Sequence, residues 1–299
     1  MAQTKEEVKM DGEPAKRRKL DEAATKDDEE MKEETADSPK ELEVDDAKDK
    51  RAKIDCEVHF DVSEATLNVI PMLGGRVLMP LTDGGLQYLV AGARANVGIK
   101  KGRYMYEVKI IEPLNPAEPT AQRVPNRPTI PRQIVRVGFS TQDSSLFLGD
   151  TDESVCFDTE AFFTAKGIRT LRSQRFGRDQ TIAILLNLDK KSPNMNTVSL
   201  FRDGERISQP QPLPECLHGK TLFPHVNFKN VSVQVSFGPT PLVPLPFACR
   251  TMKELAKEDA LVVKPATPPG GQYEVLFPVG LPDEGTFDWL DQFLEKHPK

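Results

Sequence analysis

The sequence predicts an all-β fold, an antiparallel β-sandwich or barrel between residues 58 and 247. Short runs rich in β-branched and aromatic residues recur along this region with turn residues between them, as is typical of strands. No long stretch shows the apolar periodicity of a helix. Strands at this density, with few helices between them, indicate an antiparallel sandwich.

Four runs carry the strand prediction most clearly. They are YMYEVKII (104–111), QIVRVGFS (133–140), TIAILLNLD (181–189) and VSVQVSFG (231–238). A hairpin is predicted over 197–208, because Asp203 and Gly204 can take the positive φ angles of a two-residue turn. Residues 113–132 hold six prolines, and proline cannot continue a central ladder, so we expect an extended surface loop there.

Residues 1–53 are predicted to form a disordered tail. They contain no aromatic residue and are dense in Lys, Glu and Asp, so they cannot bury enough apolar surface to offset the entropy of ordering. Within them stands a compact cationic run of Lys16, Arg17, Arg18 and Lys19. This run predicts recognition by a nuclear import receptor and a nuclear location, the alternative being a solvated charge run.

The distribution of charge bears on whether the folded region binds nucleic acid. The formal net charge is −6, and most of the acidic excess lies in residues 1–53, so the remainder is nearly neutral. A nearly neutral domain argues against a generally basic nucleic-acid-binding surface but is compatible with a local basic patch.

The four cysteines lie far apart and lack the spacings of metal or redox motifs, so we expect reduced thiols and no metal.

No membrane association is expected from the sequence. No apolar stretch approaches the length needed to span a bilayer, and the N-terminus is charged where a signal peptide would be hydrophobic. We therefore expect a soluble, intracellular protein.

The C-terminal part raises the question of nucleotide binding. After the sandwich, Thr251 and Glu254 form a capping-box pattern that predicts a short helix, followed by a linker, within residues 249–271. Residues 272–299 then show a strand, a loop and a helix, and the spacing from Gly280 to Gly285 is that of a phosphate-binding loop. Thr286 stands where that motif has its lysine.

Two further features argue against nucleotide chemistry in this loop. Asp283 and Glu284 lie inside it and would repel a phosphate. Only 14 residues follow Gly285, too few to complete a nucleotide-binding sheet. We therefore predict a degenerate, truncated P-loop segment that binds no cofactor.

The best candidate for a binding surface is a run of cations between the predicted strands. Residues Lys166, Arg169, Arg172, Arg175 and Arg178 recur at every third position. In an extended, polyproline-like loop this period places the side chains on one side, where they suit phosphates or an acidic peptide. The alternative is a solubilising loop whose arginines pair with nearby acids.

A second group of cations could extend that surface. Lys100, Lys101 and Arg103 lie in the turn before a predicted strand, and the alternative is that they are ordinary turn residues.

No catalytic residue is predicted. His225 sits in an apolar strand, which favours a hydrogen-bonded core residue over a catalyst. No serine has a nucleophile-elbow setting, and no pair of carboxylates stands out for acid–base work. The expectation is a protein that is not an enzyme.

Several of these strands resemble the signatures of a SPRY domain. They are KKGRYMYEVKI, RVGFS, VSLFRDGERI and LFPHVNFKNVSVQVSFGP. Their combination with LVAGARANVGI and with the strand entering VGLP is similar to heterogeneous nuclear ribonucleoprotein U and its U-like relatives. In that family a SPRY domain is followed by a polynucleotide-kinase-like P-loop domain.

The resemblance covers residues 54–299 and implies a SPRY-type β-sandwich over residues 54–248. It implies a nuclear interaction module associated with RNA processing, with a protein partner bound through the SPRY loops and RNA as a further partner. The family's SAP module and Arg-Gly-Gly region are not found in this sequence. Two alternatives stay open: a SPRY adaptor of a chromatin-modifying complex, which would favour an acidic partner, and a truncated nucleotide-binding, kinase-like protein.

Overall fold

The computed structural model describes residues 41–116 and 131–264, together with Lys296. Several predictions lie outside these residues: the cationic run of Lys16–Lys19, the degenerate loop with Gly280, Gly285 and Thr286, and most of the proline-rich loop.

The described residues form seventeen strands and four single-turn 3-10 helices. The strands are β1 Phe60–Ala65, β2 Val69–Met72, β3 Val77–Pro80, β4 Ala91–Ala95, β5 Val97–Ile99, β6 Gly102–Pro113, β7 Ile134–Ser140, β8 Ser154–Asp158, β9 Phe162–Ala165, β10 Ile168–Leu171, β11 Thr181–Leu188, β12 Thr197–Arg202, β13 Glu205–Arg206, β14 Gln211–Pro212, β15 Phe223–Lys229, β16 Val231–Ser236 and β17 Ala260–Val262. The 3-10 helices are Leu86–Tyr88, Glu215–Leu217, Met252–Glu254 and Lys257–Asp259.

Two large antiparallel sheets make up the sandwich. The first has the strand order β1-β4-β15-β7-β8-β9-β10, and the second has the order β13-β12-β11-β6-β16-β3-β2, with β14 paired to β12. A small third sheet pairs β17 with β5. The predicted all-β, antiparallel β-sandwich is thus confirmed.

The apolar side chains that face each other between the two sheets form the main core. Strand β11 shows why its sequence lacks the alternation of a half-exposed strand: all eight of its residues are buried. Its inner face carries Ile182 and Ile184 into the main core, while Leu185 on its outer face packs in a second cluster with Phe201 and Phe247. A strand covered on both faces reads as a continuous apolar run.

The local predictions agree with these elements. All four predicted strands coincide with observed ones, namely β6, β7, β11 and β16. The predicted hairpin joins β12 to β13, and Asp203 and Gly204 take φ angles of 52° and 88° in its turn. The helix predicted from Thr251 is a single 3-10 turn, in which the Thr251 N–H donates to Glu254 Oε2 at 3.5 Å.

Residues 41–53 differ from the expected disordered tail. They run in a largely irregular conformation against the second sheet and the chain around residues 248–256. The Asp46 N–H donates to the Ala248 carbonyl at 2.8 Å, and the Ile54 N–H donates to the Leu255 carbonyl at 3.0 Å. We call residues 41–49 the acidic strap. Its carboxylates bind cationic and N–H groups of the sandwich. The dense charge of this segment would favour disorder in isolation, but in the folded chain it is complementary to the positive charge of the sandwich.

Among the described residues no helix has the length and apolar character of a membrane span.

Candidate functional site

The predicted cationic run begins in a β-hairpin at one edge of the first sheet. Strands β9 and β10 are joined by Lys166 and Gly167, whose φ angles of 52° and 68° form the tight turn. The polyproline-like conformation expected for this part is therefore wrong, because residues 168–171 pair with β9. Strand β10 is the last strand of its sheet, and it exposes Ile168 and Leu171 by 65% and 66%.

Arg169 does not belong to an open cationic surface. Its guanidinium lies 4.0 Å from the centre of the Phe162 ring and forms ion pairs of 2.6 Å with both Asp158 and Glu160. Burial alone would lower the pKa of Arg169, but the hydrogen bonds to Glu160 and Asp158 outweigh burial and raise it. The charge of Arg169 is therefore neutralised inside the hairpin, as expected if the arginines of this run pair with nearby acids.

The other cations of the run are exposed. Lys166, Arg172 and Arg175 form no ion pair with the described part of the chain, and Arg178 meets only the neighbouring Asp179, at 3.4 Å. The segment after β10 is held by Phe176, which is buried in the main core. We call the side of the sandwich formed by β10 and residues 172–178 the arginine edge.

The second group of cations is split by the fold. Arg103 is buried and forms ion pairs with Glu43 and Asp46, so it cannot contribute to an exposed patch. Lys100 and Lys101 are exposed, but β6 pairs with β11 so that Gly102 lies opposite Leu188. The two lysines therefore neighbour the loop after β11 and do not extend the arginine edge.

Lys101 instead lines a cleft of about 520 Å³ between the acidic strap and the end of β11. Lys190 and Lys191 line the same cleft, are exposed, and have no acidic partner within the described residues. Lys101 lies 3.5 Å from Asp259, whose carboxylate also binds Arg51 at 2.7 Å. The cleft is therefore of mixed charge, with its surplus of positive charge at the lysines.

The acidic strap lies in a groove of the second sheet that sequence reasoning missed. The Glu41 carboxylate accepts hydrogen bonds from Arg206 Nη2 at 2.7 Å and from Arg206 Nε at 3.2 Å. The Glu43 carboxylate forms an ion pair of 2.7 Å with Arg103 and accepts hydrogen bonds from the side-chain amides of Asn187 and Asn194, each at 3.1 Å. The charge pattern of the strap could have signalled this site, because its acids alternate with apolar residues in ELEVD.

The strap continues along the same groove beyond Glu43. Asp46 binds Arg103 at 2.9 Å and Arg250 at 3.4 Å. Asp49 binds Arg250 at 2.7 Å. Three arginines, contributed by β6, β13 and the chain after residue 248, thus form the floor of what we call the strap groove.

A buried polar layer lies on the outer face of the first sheet, beneath the loop after β7. His225 Nδ1 lies 2.8 Å from Ser140 Oγ, and its Nε2 lies 3.2 Å from the Leu146 carbonyl. Burial, together with the charge of Arg94, lowers the pKa of His225 to about 3. A neutral imidazole with both nitrogens engaged by the fold suits a structural role, as its apolar strand indicates.

The same layer fixes the path of that loop. Asn227 Nδ2 donates to the Leu146 carbonyl at 2.7 Å, and the buried Arg94 donates to the Ser144 carbonyl at 2.6 Å. Arg94 also binds Glu64 at 2.7 Å. The loop is therefore held from below by side chains of β4 and β15.

Comparison with known proteins agrees with the resemblance read from the motifs. No family model matches the chain. Heterogeneous nuclear ribonucleoprotein U-like protein 2 of Mus musculus is 27% identical over 253 residues, which cover 81% of this chain and 30% of the relative. The protein of the same name from Homo sapiens is 27% identical over 248 residues, with the same two coverages. The chain thus spans about 30% of the length of these curated relatives.

Solved structures similar to the chain include SPRY domains. The SPRY domain of human HERC1 aligns with a TM-score of 0.42 and 18% identity, covering 59% of this chain and 96% of that domain. A human SPRY domain aligns with a TM-score of 0.40 and 16% identity, covering 56% of this chain and 94% of that domain. From its sequence motifs and its curated relatives, the chain resembles a SPRY protein of the U-like ribonucleoprotein type.

Proposed function

We propose that this chain is a non-enzymatic nuclear interaction module, similar to the U-like ribonucleoproteins, that binds a protein partner in RNA processing. The similarity to heterogeneous nuclear ribonucleoprotein U-like protein 2 supports the ribonucleoprotein setting. The observation that carries the binding role is the arginine edge, an open strand edge that combines exposed apolar side chains with Lys166, Arg172 and Arg175, which form no ion pair with the part of the chain that the structure describes.

The geometry of this edge favours an extended protein segment as the partner. The outer side of β10 has no neighbouring strand among the described residues, and such an edge can accept a further strand through its backbone groups. Ile168 and Leu171 offer apolar contact. Lys166, Arg172 and Arg175 would select acidic residues, because guanidinium and ammonium groups bind carboxylates by charge-assisted hydrogen bonds.

RNA is a further partner of the proposed module, and its support is the resemblance alone. The nearly neutral folded region argues against RNA binding over the whole surface. If RNA phosphates met the arginine edge, neutralising its cations would flatten the salt dependence of RNA affinity, because each phosphate contact releases counterions.

The decisive experiment compares two triple charge reversals. One variant carries Lys166→Glu, Arg172→Glu and Arg175→Glu at the arginine edge. Its matched control carries Lys100→Glu, Lys190→Glu and Lys191→Glu, which are also exposed and lack acidic partners in the described residues. Crosslinked co-purification from nuclei, with and without ribonuclease, identifies the proteins and RNA that each variant retains.

We expect the edge variant to lose a ribonuclease-resistant protein partner that the control keeps. If the wild type and both variants recover the same protein partners, the proposal is overturned. Loss of RNA without loss of a protein would assign the edge to RNA. Recovery of a chromatin-modifying complex as the lost partner would favour the adaptor alternative.

The proposed nuclear location has its own test. Replacing Lys16, Arg17, Arg18 and Lys19 by alanine should leave a fluorescently tagged chain in the cytoplasm, because an import receptor would lose the cationic run that it reads. Unchanged nuclear accumulation would remove the import role from this run.

A further inference from the structure

We propose that the strap groove is a recognition site for acidic, extended segments of partner proteins, which the free chain occupies with its own residues 41–49. The inference goes beyond the proposed function, because the groove lies on the second sheet and shares no residue with the arginine edge.

The groove is organised by contacts that do not involve the strap. Each of its three arginines lies over an aromatic ring: Arg206 is 4.6 Å from the Phe201 ring centre, Arg250 is 4.7 Å from that of Tyr104, and Arg103 is 5.2 Å from that of Phe247. Stacking of this kind restrains a guanidinium before any ligand arrives.

Hydrogen bonds within the sandwich restrain one of these arginines further. Arg206 Nη1 donates to Ser199 Oγ at 3.0 Å and to the Ser208 carbonyl at 3.2 Å. Its Nε and Nη2 groups remain for a carboxylate and bind both oxygens of Glu41. A planar fork aimed in this way is the geometry that recognises a carboxylate.

Neutral donors complete the groove and define the spacing of a ligand. The amide of Asn187 reaches Glu43, and the Ala248 N–H reaches Asp45 Oδ1 at 2.7 Å. The strap therefore meets arginines at Glu41, Glu43 and Asp46. A partner that reproduces these contacts needs carboxylates at the first, third and sixth positions of an extended segment.

The strap itself is held by ion pairs and hydrogen bonds and not by apolar packing. Leu42 and Val44, which alternate with its acids, are exposed by 43% and 73%. Residues 41–50 form no strand with either sheet. A segment bound in this way can be displaced by another of like charge, since no ladder or core must be rebuilt.

A tethered segment competes at a high effective concentration, on the order of millimolar for a short flexible link. We therefore expect the intact chain to bind an acidic peptide weakly in trans, and a chain with a weakened strap to bind it more tightly. The strap would then set the threshold for partner binding.

The test uses the full chain and a fluorescent peptide with the sequence of residues 39–50. The weakened-strap variant carries Glu41→Gln, Glu43→Gln and Asp46→Asn. The matched control carries Glu57→Gln, Glu215→Gln and Asp83→Asn, three acids that are exposed and lie outside the strap. Fluorescence anisotropy gives peptide affinity at low and high salt, and thermal unfolding confirms the fold.

We expect the weakened-strap variant to bind the peptide at least tenfold more tightly than the wild type or the control. Adding Arg206→Gln, using a peptide neutralised at the positions of Glu41, Glu43 and Asp46, or raising the salt should each remove the gain. If the triple variant fails to fold, Glu41→Gln alone should still raise the affinity, because Glu41 lies at the partly exposed end of the groove. No gain in any folded variant would overturn the proposal and leave the arginine-edge test unaffected.

Discussion

Glu43 and Arg103 form an ion pair of 2.7 Å in which the two side chains are only 1% and 4% exposed. The pair joins the acidic strap to β6, across sixty positions of sequence. Arg103 is also bound by Asp46 and by the Val44 carbonyl. A charge removed from water in this way depends on a partner, so in the free chain Arg103 depends on the strap.

Removing one side of this pair should be costly. Glu43→Ala leaves a buried guanidinium with one carboxylate fewer, and loss of one partner of a buried pair typically costs about 3 to 5 kcal/mol. Because Asp46 remains, we expect the free energy of unfolding in urea to fall by about 3 kcal/mol. Glu57→Ala, an exposed change, should stay within about 0.5 kcal/mol. Equal effects would show that the strap is not anchored at Glu43.

The buried His225 should make stability depend on pH. Its pKa in the folded chain is lowered to about 3, whereas an imidazole in the unfolded chain titrates near 6.5. The unfolded chain therefore takes up the proton first. The stability that the chain owes to a neutral His225 is therefore fully present above about pH 6.5 and is lost as the pH falls toward 3. Over this range the free energy of unfolding should change by up to about 1.4 kcal/mol per pH unit.

Urea unfolding between pH 5 and pH 7.5 measures this slope. His225→Gln removes the titrating group, so the slope in this window should be smaller in the variant than in the wild type, whatever the absolute stability of the variant. The same slope in both proteins would contradict a neutral, buried imidazole.

The polar layer beneath the loop after β7 requires a glycine in β4. A Cβ atom at Gly92 would lie 2.2 Å from the Leu146 carbonyl oxygen and 2.4 Å from Asn227 Nδ2. Gly92→Ala should therefore lift the loop and destabilise the chain by about 1 to 3 kcal/mol.

Gly177→Ala is the matched control, because no atom lies within 4 Å of its added Cβ. A Gly→Ala change of this kind is expected to be neutral, or stabilising by up to about 1 kcal/mol. Differential scanning fluorimetry compares the two variants, and similar melting temperatures would mean that the loop does not press on Gly92.

The loop around Gly280 and Gly285 should bind no nucleotide, because Thr286 replaces the lysine of a working phosphate loop. Isothermal titration calorimetry with ATP and Mg²⁺ should show no binding to the full chain. Micromolar affinity that disappears in Gly285→Ala would show that the loop holds phosphate after all.

Much of the fold could be predicted because its signals are local. The run TIAILLNLD marks β11, and the pair Asp203 and Gly204 marks the turn between β12 and β13. Apolar pattern and turn chemistry act over a few residues, so they are legible in sequence. The surface charges could not be predicted so well. Arg169 and Arg172 stand in the same periodic run, yet among the residues that the structure describes Arg169 pairs with Asp158 and Glu160 across the hairpin and Arg172 pairs with none.

The sequence by itself determined the four strands β6, β7, β11 and β16, the hairpin turn at Asp203 and Gly204, and which family the chain resembles. Only the tertiary structure decided which charges remain available. It buries Arg103 while its near neighbours Lys100 and Lys101 stay exposed, and it turns part of a predicted disordered tail into the acidic strap. The physical reason is that strand formation depends on neighbours in the chain, whereas the fate of a charge depends on partners that folding brings from distant positions, as Glu41 meets Arg206.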